Sequence, residues 1–224
     1  CSPHNPVGRV WRREELEQIL ELCLKHNIVV FSDEIHSDLV YVPNVHIPFA
    51  SLSKEARDIT VTAIGVGKTF NMAGFAISSV AIPNYELRER FKKVYDLSHF
   101  VFGSSLSHVA FEAAYRSGKE WLGELKKHLY TNYEMLRGLC DAFSHLIKVT
   151  PIEGTYLGWL DCRGMGLKDK ELREFFVHEA GLGLSAGIGF GREGSGFMRL
   201  NFALSSAKML EVVKQLEKAL RNRS

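Results

Sequence analysis

Apolar residues recur at helical spacing over residues 12–26, where Leu16, Ile19, Leu20 and Cys23 share one face. The run Ile28, Val29, Val30, Phe31 follows. It is short, β-rich and unbroken, and it predicts a buried parallel strand. Further strands are expected over 59–64 and 75–82, the second ended by Pro83, and helices over 84–97 and 104–117. A long helix with Lys126, Lys127, Glu134 and Arg137 on exposed faces is expected over 120–143, as the bridge between two domains. Beyond it the pattern gives strands at 148–150 and 155–160 and a helix at 169–179. A glycine-rich loop at 181–196, a strand at 197–203 and a last helix at 206–221 complete the chain. Strands alternating with helices predict an α/β fold. The pattern holds no internal repeat and no low-complexity tract.

Composition narrows the partners more than the fold. The 224 residues are 46% hydrophobic, enough for a sizeable core and one or two domains. A net charge of +2 from 28 basic and 26 acidic side chains gives no reason to expect nucleic acid or an anionic membrane as partner. Cys1, Cys23, Cys140 and Cys162 lie far apart and form no CxxC pair, so reduced, mostly buried thiols are expected and no metal centre. No apolar run reaches bilayer-spanning length and no signal peptide is read, so a cytoplasmic location is expected. The chain opens on the turn-rich Cys1-Ser2-Pro3-His4-Asn5-Pro6-Val7-Gly8. Domains seldom start on a site loop, so the chain is expected to be the C-terminal part of a longer protein, or one piece of a cleaved one.

Three residues carry the chemistry. Lys68 lies in Gly67-Lys68-Thr69-Phe70-Asn71-Met72-Ala73-Gly74, Asp33 just past the apolar strand, and Asn5 in an Asn-Pro-Val-Gly turn. A Schiff-base lysine, a carboxylate for a pyridinium nitrogen and an amide for a phenolate oxygen are the fixed points of a pyridoxal phosphate site. Each has an ordinary reading beside it: a surface lysine, a turn-capping aspartate and a turn asparagine. Glu34 and Asp38 compete with Asp33 for the carboxylate role, and Asp33 is preferred for its place at the strand end. His36, three residues on, could stack near or bond the cofactor oxygen, or be structural, and Tyr41 is a weaker candidate. Arg199, inside the apolar Gly196-Phe197-Met198-Arg199-Leu200-Asn201-Phe202, suits the bidentate grip of a substrate α-carboxylate. Its alternative is an internal salt bridge, because a charge there is costly unless paired.

These motifs resemble the fold-type I pyridoxal phosphate-dependent aminotransferase superfamily over essentially the whole chain. Asn5-Pro6-Val7-Gly8, Lys68 to Gly74, Glu153-Gly154-Thr155-Tyr156-Leu157 and Phe197 to Asn201 all match its pattern. Ser32-Asp33-Glu34-Ile35-His36-Ser37-Asp38-Leu39 is similar to the cystathionine β-lyase-like, or C–S lyase, branch. The resemblance implies pyridoxal 5'-phosphate as cofactor, Lys68 as the Schiff-base lysine, Asp33 as the pyridinium partner, Asn5 as donor to the phenolate and Arg199 as the carboxylate anchor. It implies a partial large domain with a mostly parallel sheet over residues 1–118, then the bridge helix and a smaller α/β domain over 119–224. It implies homodimers with sites at the subunit interface, and a missing N-terminal half that carries the phosphate loop and the aromatic residue stacking on the ring. One departure stands out: Gly65 and Gly67 occupy positions where the family places serines, so backbone N–H groups would have to hold the phosphate there.

The reaction implied is α,β-elimination from a sulfur amino acid, giving a thiol, pyruvate and ammonia. Many aminotransferases of the superfamily carry an arginine soon after the lysine. Here Gly74 is followed by Phe75-Ala76-Ile77-Ser78-Ser79, with no arginine before Arg88. An aminotransferase of the same fold is the alternative. A catalytically impaired fragment or regulatory binding protein is a further one, raised by Gly65, Gly67 and the missing half.

Overall fold

The structure, a computed structural model, describes residues 1–98 and 104–223. The chain divides into two compact units. The first comprises Cys1–His4 and Val10–Gly123, the second Asn5–Arg9 and Glu124–Ser224.

The first unit opens with helix α1, Arg13–Lys25, whose Leu16, Leu20 and Cys23 are buried. Its entry is closed by Arg12 N–H donating to Glu15 Oε2 at 2.8 Å. Its exit explains a shift in the strand that follows. Asn27 takes φ 53°, Asn27 N–H donates to Leu24 O at 3.3 Å, and Ile28 N–H donates to Cys23 O at 2.8 Å. That is a Schellman closure with asparagine in the left-handed position. Ile28 is thereby committed to ending the helix, and strand β1 forms at Val30–Asp33 rather than over 28–31.

Strand β2, Thr60–Ile64, lies parallel to β1 with Asp33 opposite Ala63. Strand β3, Ser79–Ala81, lies antiparallel to β2. The sheet expected to be mostly parallel therefore has one parallel and one antiparallel pair among the described residues. The third strand is shorter than expected because Ala73–Phe75 forms a 3₁₀ turn that ends on Ala76 at φ 48°. Burial corrects another expectation. Val30 packs with Leu16, Leu20 and Phe49, but Phe31, on the opposite face, is 61% exposed. Strand β1 has one covered face, not two.

Short helices complete the unit. Helix α2, Lys54–Ile59, was not legible as a period; Ser53 caps it by accepting from Ala56 N–H at 3.1 Å. Helix α3, Val66–Thr69, is a single turn that carries Lys68. Helices α4, Tyr85–Leu97, and α5, Ser105–Ser117, start at Asn84 and Ser104, whose side chains accept from Leu87 N–H and Ser107 N–H. The unit boundary falls within α6, Lys119–Ala142.

The second unit holds an antiparallel sheet in the order β4-β5-β7-β6. Its strands are β4, Lys148–Val149, β5, Leu157–Asp161, β6, Ser185–Ala186, and β7, Phe197–Asn201. Helix α7 runs over Asp169–Glu174 and widens into a π turn at Phe175–Glu179, where Ala180 N–H reaches back to Phe175 O at 3.0 Å. The wider turn lets the consecutive Phe175 and Phe176 both lie in the core. The glycine-rich loop is not bare coil. It contains β6 and two 3₁₀ turns, Gly187–Phe190 and Arg192–Gly194. Helix α8, Ser206–Arg221, is capped by Ser205. Buried Asn132 donates to Phe202 O at 2.9 Å and Leu204 O at 2.8 Å, tying α6 to the exit of β7. Residues 5–9 join this unit through Gly8 O, which accepts Glu153 N–H and Gly154 N–H at 2.9 Å each.

Candidate active site

In the first unit the carboxyl ends of β1 and β2 deliver two of the expected residues. Asp33 is the last residue of β1, and Lys68 lies on α3 just beyond the end of β2. Side chains past the carboxyl ends of neighbouring parallel strands face the ligand side of an open α/β sheet. Lys68 is exposed and forms no ion pair among the described residues.

Hydrogen bonding sorts the three competing carboxylates. Glu34 is buried and fully engaged: it accepts from Ser32 Oγ at 2.9 Å, from His46 Nε2 at 2.8 Å and from Phe49 N–H at 3.2 Å. Asp38 Oδ2 accepts from Thr69 Oγ1 at 2.9 Å and from Tyr115 Oη at 3.2 Å. Asp33 uses only Oδ1, which accepts Ile35 N–H at 3.2 Å in an Asx turn. Its Oδ2 has no protein partner among the described residues. Asp33 and Asp38 each keep one carboxylate oxygen without a protein partner among the described residues, and of these two Asp33 alone is a strand-end residue. His36 is buried in the same turn, its carbonyl accepting Leu39 N–H at 2.9 Å. Tyr41 is buried too, and burial pushes its hydroxyl well above the ordinary range.

A Cβ on Gly67 would come within 3.3 Å of Ala73 Cα, slightly closer than ordinary packing, while one on Gly65 would meet Ser78 Cβ at an ordinary 3.4 Å. An exposed lysine amine and a strand-end carboxylate with a vacant oxygen fit an aldehyde and a protonated pyridine nitrogen.

In the second unit the structure joins Asn5 to Arg199. Arg199 lies mid-strand in β7, opposite Trp159 on one side and Ser185 on the other. Its Nη1 donates to Asn5 Oδ1 at 2.9 Å and its Nη2 to Ser185 Oγ at 3.1 Å. The Phe190 ring lies 4.8 Å from its Cζ. No acid pairs with it among the described residues, so the salt-bridge alternative does not hold. Because Asn5 Oδ1 is occupied by the guanidinium, the amide keeps its N–H₂ end for another acceptor. Tyr156 is near enough for the Arg199 charge to oppose the upward push that burial gives its hydroxyl. Ser185 and Phe190 escaped the sequence reading. Both sit in the loop taken as glycine-rich coil, and the register of Ser185 opposite Arg199 exists only once β6 forms.

A family model described as aminotransferase class I and II matches residues 1–216. The cystathionine beta-lyase PatB of Bacillus subtilis (strain 168) is 38% identical over 220 residues, which cover 98% of this chain and 57% of that protein. Protein MalY of Escherichia coli (strain K12) is 32% identical over 223 residues, covering 99% of this chain and 56% of that one. The crystal structure of cystalysin from Treponema denticola, which contains a pyridoxal 5'-phosphate cofactor, matches with a TM-score of 0.96 at 37% identity. That match covers 100% of this chain and 57% of the other. The chain thus spans just over half the length of the relatives it matches. No helix among the described residues is long and apolar enough to cross a membrane.

Proposed function

Because the chain belongs to the aminotransferase class I and II family, we propose that the protein is a pyridoxal phosphate-dependent C–S β-lyase. It would cleave a sulfur amino acid such as cystathionine to a thiol, pyruvate and ammonia. The observation that carries this reading is the placement of Asp33 and Lys68 at the carboxyl ends of one parallel strand pair, with Asp33 accepting a single hydrogen bond, on Oδ1. When bound, pyridoxal phosphate supplies an electron sink for the charge that develops at the substrate Cα.

The roles follow from the donor set. Lys68 Nζ would hold the cofactor covalently, and its freed amine would take up the Cα proton. Asp33 Oδ2 would keep a proton on the pyridine nitrogen. His36, buried in the turn after Asp33, would lie near the cofactor oxygen. In the second unit, Asn5 would offer its N–H₂ to the phenolate oxygen, since Arg199 engages its carbonyl oxygen. Arg199 would anchor the α-carboxylate with the N–H groups that Asn5 and Ser185 leave free. Residues 1–118 are read as the later half of the cofactor domain and 119–224 as the bridge helix and small domain. The protein is read as a cytoplasmic homodimer acting on a small-molecule amino-acid substrate.

The test is borohydride reduction after pyridoxal phosphate addition, with peptide mass spectrometry, on the protein and on Lys68→Ala. A pyridoxyl adduct confined to Lys68, with pyruvate released from cystathionine, supports the reading. No adduct on Lys68 sinks it. The family description favours one rival, an aminotransferase. Conversion of a keto-acid acceptor to its amino acid without pyruvate release would identify that.

A further inference from the structure

We propose that Asp38 is a positioning residue for Lys68: its carboxylate clamps the single-turn helix α3 from outside and fixes where the lysine is delivered. The inference rests on the reading of Lys68 as the cofactor lysine.

Helix α3 cannot hold itself. It spans four residues, and its closing hydrogen bond runs from Phe70 N–H to Val66 O at 2.9 Å. One turn of helix is unstable without tertiary support. The support converges on the residue next to the lysine. Thr69 is fully buried, and its Oγ1 donates to Asp38 Oδ2 at 2.9 Å. Tyr115, on α5, donates to the same oxygen at 3.2 Å. The Tyr115 ring also meets the Phe70 ring edge-on at 5.6 Å, and Phe70 stacks on Trp121 at 5.8 Å. Further along, Ser107 Oγ, also on α5, donates to Phe75 O at 3.0 Å. One carboxylate oxygen therefore ties together three pieces of chain: the turn after β1, the lysine helix and α5. The turn that supplies Asp38, residues 35–38, begins two residues after Asp33. The clamp thus sets the spacing between the lysine and the carboxylate proposed for the pyridine nitrogen. Burial, with the Asp38 charge behind it, pushes the Tyr115 hydroxyl up to about 12, so it stays a donor across the working pH range.

The clamp is a matter of hydrogen-bond acceptance, which an asparagine carbonyl can reproduce and an alanine cannot. The experiment measures amide hydrogen exchange in the 65–75 segment and the rate of pyridoxyl labelling at Lys68. It compares the protein with Asp38→Asn, Asp38→Ala, Thr69→Val and Tyr115→Phe. Leaving the buried Thr69 hydroxyl without an acceptor should speed exchange in 65–75 about tenfold or more in Asp38→Ala, with residues 60–64 unchanged. Labelling at Lys68 should slow in parallel. Thr69→Val should shift both in the same direction, and Asp38→Asn should stay within about twofold of the unmodified protein. Unchanged exchange in Asp38→Ala and Thr69→Val overturns the proposal, and so does Asp38→Asn behaving like Asp38→Ala. If Asp38→Ala does not fold, Thr69→Val and Tyr115→Phe decide by the same local exchange. Local exchange as expected, but no adduct on Lys68 in the unmodified protein, would keep the clamp and reject the cofactor reading. An adduct on Lys68 with flat exchange across the variants would do the reverse.

Discussion

Asp33, Glu34 and Asp38 stand within one turn at the end of β1, yet substitution should separate them into different kinds of residue. Glu34 is buried and accepts three hydrogen bonds, one of them from His46. Glu34→Ala would strand those donors and should cost about 1–3 kcal/mol or more in urea unfolding. Asp33→Asn keeps the one bond to Ile35 N–H and should leave the midpoint within about 0.5 kcal/mol. It should nevertheless weaken pyridoxal phosphate retention about tenfold, since the charge on the vacant oxygen is lost. Equal unfolding midpoints for the two variants would contradict the sorting. The sequence placed Asp33 rightly at a strand end but could not separate it from its neighbours, because partners such as His46 and Tyr115 are distant in the chain. The cysteines divide in the same way. Cys1 is exposed, while Cys23, Cys140 and Cys162 are buried. Burial pushes the Cys140 thiol from 9.0 up to about 12. Iodoacetamide at pH 8 should therefore label Cys1 and spare Cys140 and Cys162, as read by peptide mass spectrometry. Above pH 9 the unfolded chain gives up the Cys140 proton while the folded chain keeps it. Stability should then fall as pH rises from about 9 towards about 12, and less steeply in Cys140→Ala. Equal slopes in the two proteins would refute that assignment.

At the scale of elements, what the chain made legible depended on length and periodicity. Helices α1, α4, α5, α6 and α8 lie within a residue or so of expectation, because each repeats its apolar stripe over several turns. Helix α2 has too few residues to show a period, and α3 is one turn held by Asp38 and Tyr115 rather than by its own sequence. Strand β1 slipped by two residues because the Asn27 closure of α1 uses Ile28, a backbone event with no apolar signature. The glycine-rich loop was the hardest to read. Gly187 and Gly194 approach so closely that a Cβ on Gly194 would run into the Gly187 carbonyl. Gly187 stands in the chain between Ser185 and Phe190, and Gly194 shortly before β7. Gly194→Ala should therefore lower stability by roughly 1–3 kcal/mol through backbone displacement. It should also weaken binding of a carboxylate ligand at Arg199, since Ser185 and Phe190 both contact the guanidinium. Calorimetric titration with a substrate analogue checks this; unchanged affinity and melting would mean that the loop relaxes without moving either residue. By contrast, Ser205→Ala removes only the cap of α8 and should cost about 1 kcal/mol with no effect on binding.

For the whole molecule, the two units differ most in how much of each is sealed from water. Of the twelve largest fully buried side chains among the described residues, only Leu39 belongs to the first unit; the others, from Leu129 to Met209, belong to the second. The first unit also leaves Phe31 61% exposed on the open face of β1 and Val29, just before the strand, 52% exposed. Each large apolar side chain taken from water contributes about 1.5–3 kcal/mol, so the second unit should be the more stable. Two cores of unequal depth in one chain also argue against a single cooperative transition. The three tryptophans make the difference measurable, because Trp11 and Trp121 lie in the first unit and Trp159, 8% exposed, in the second. A Trp11→Phe/Trp121→Phe variant reports on the second unit alone, and Trp159→Phe on the first. In urea the Trp159 signal should be lost at a midpoint about 1 M higher than the signal from the first unit. That gap corresponds to a few kcal/mol at an ordinary denaturant slope. Bound pyridoxal phosphate should narrow it, because a ligand held by Lys68 and Asp33 stabilises the first unit by mass action. Coincident midpoints without cofactor would show that the units unfold as one body. A gap that cofactor leaves unchanged would show that the first unit does not hold pyridoxal phosphate.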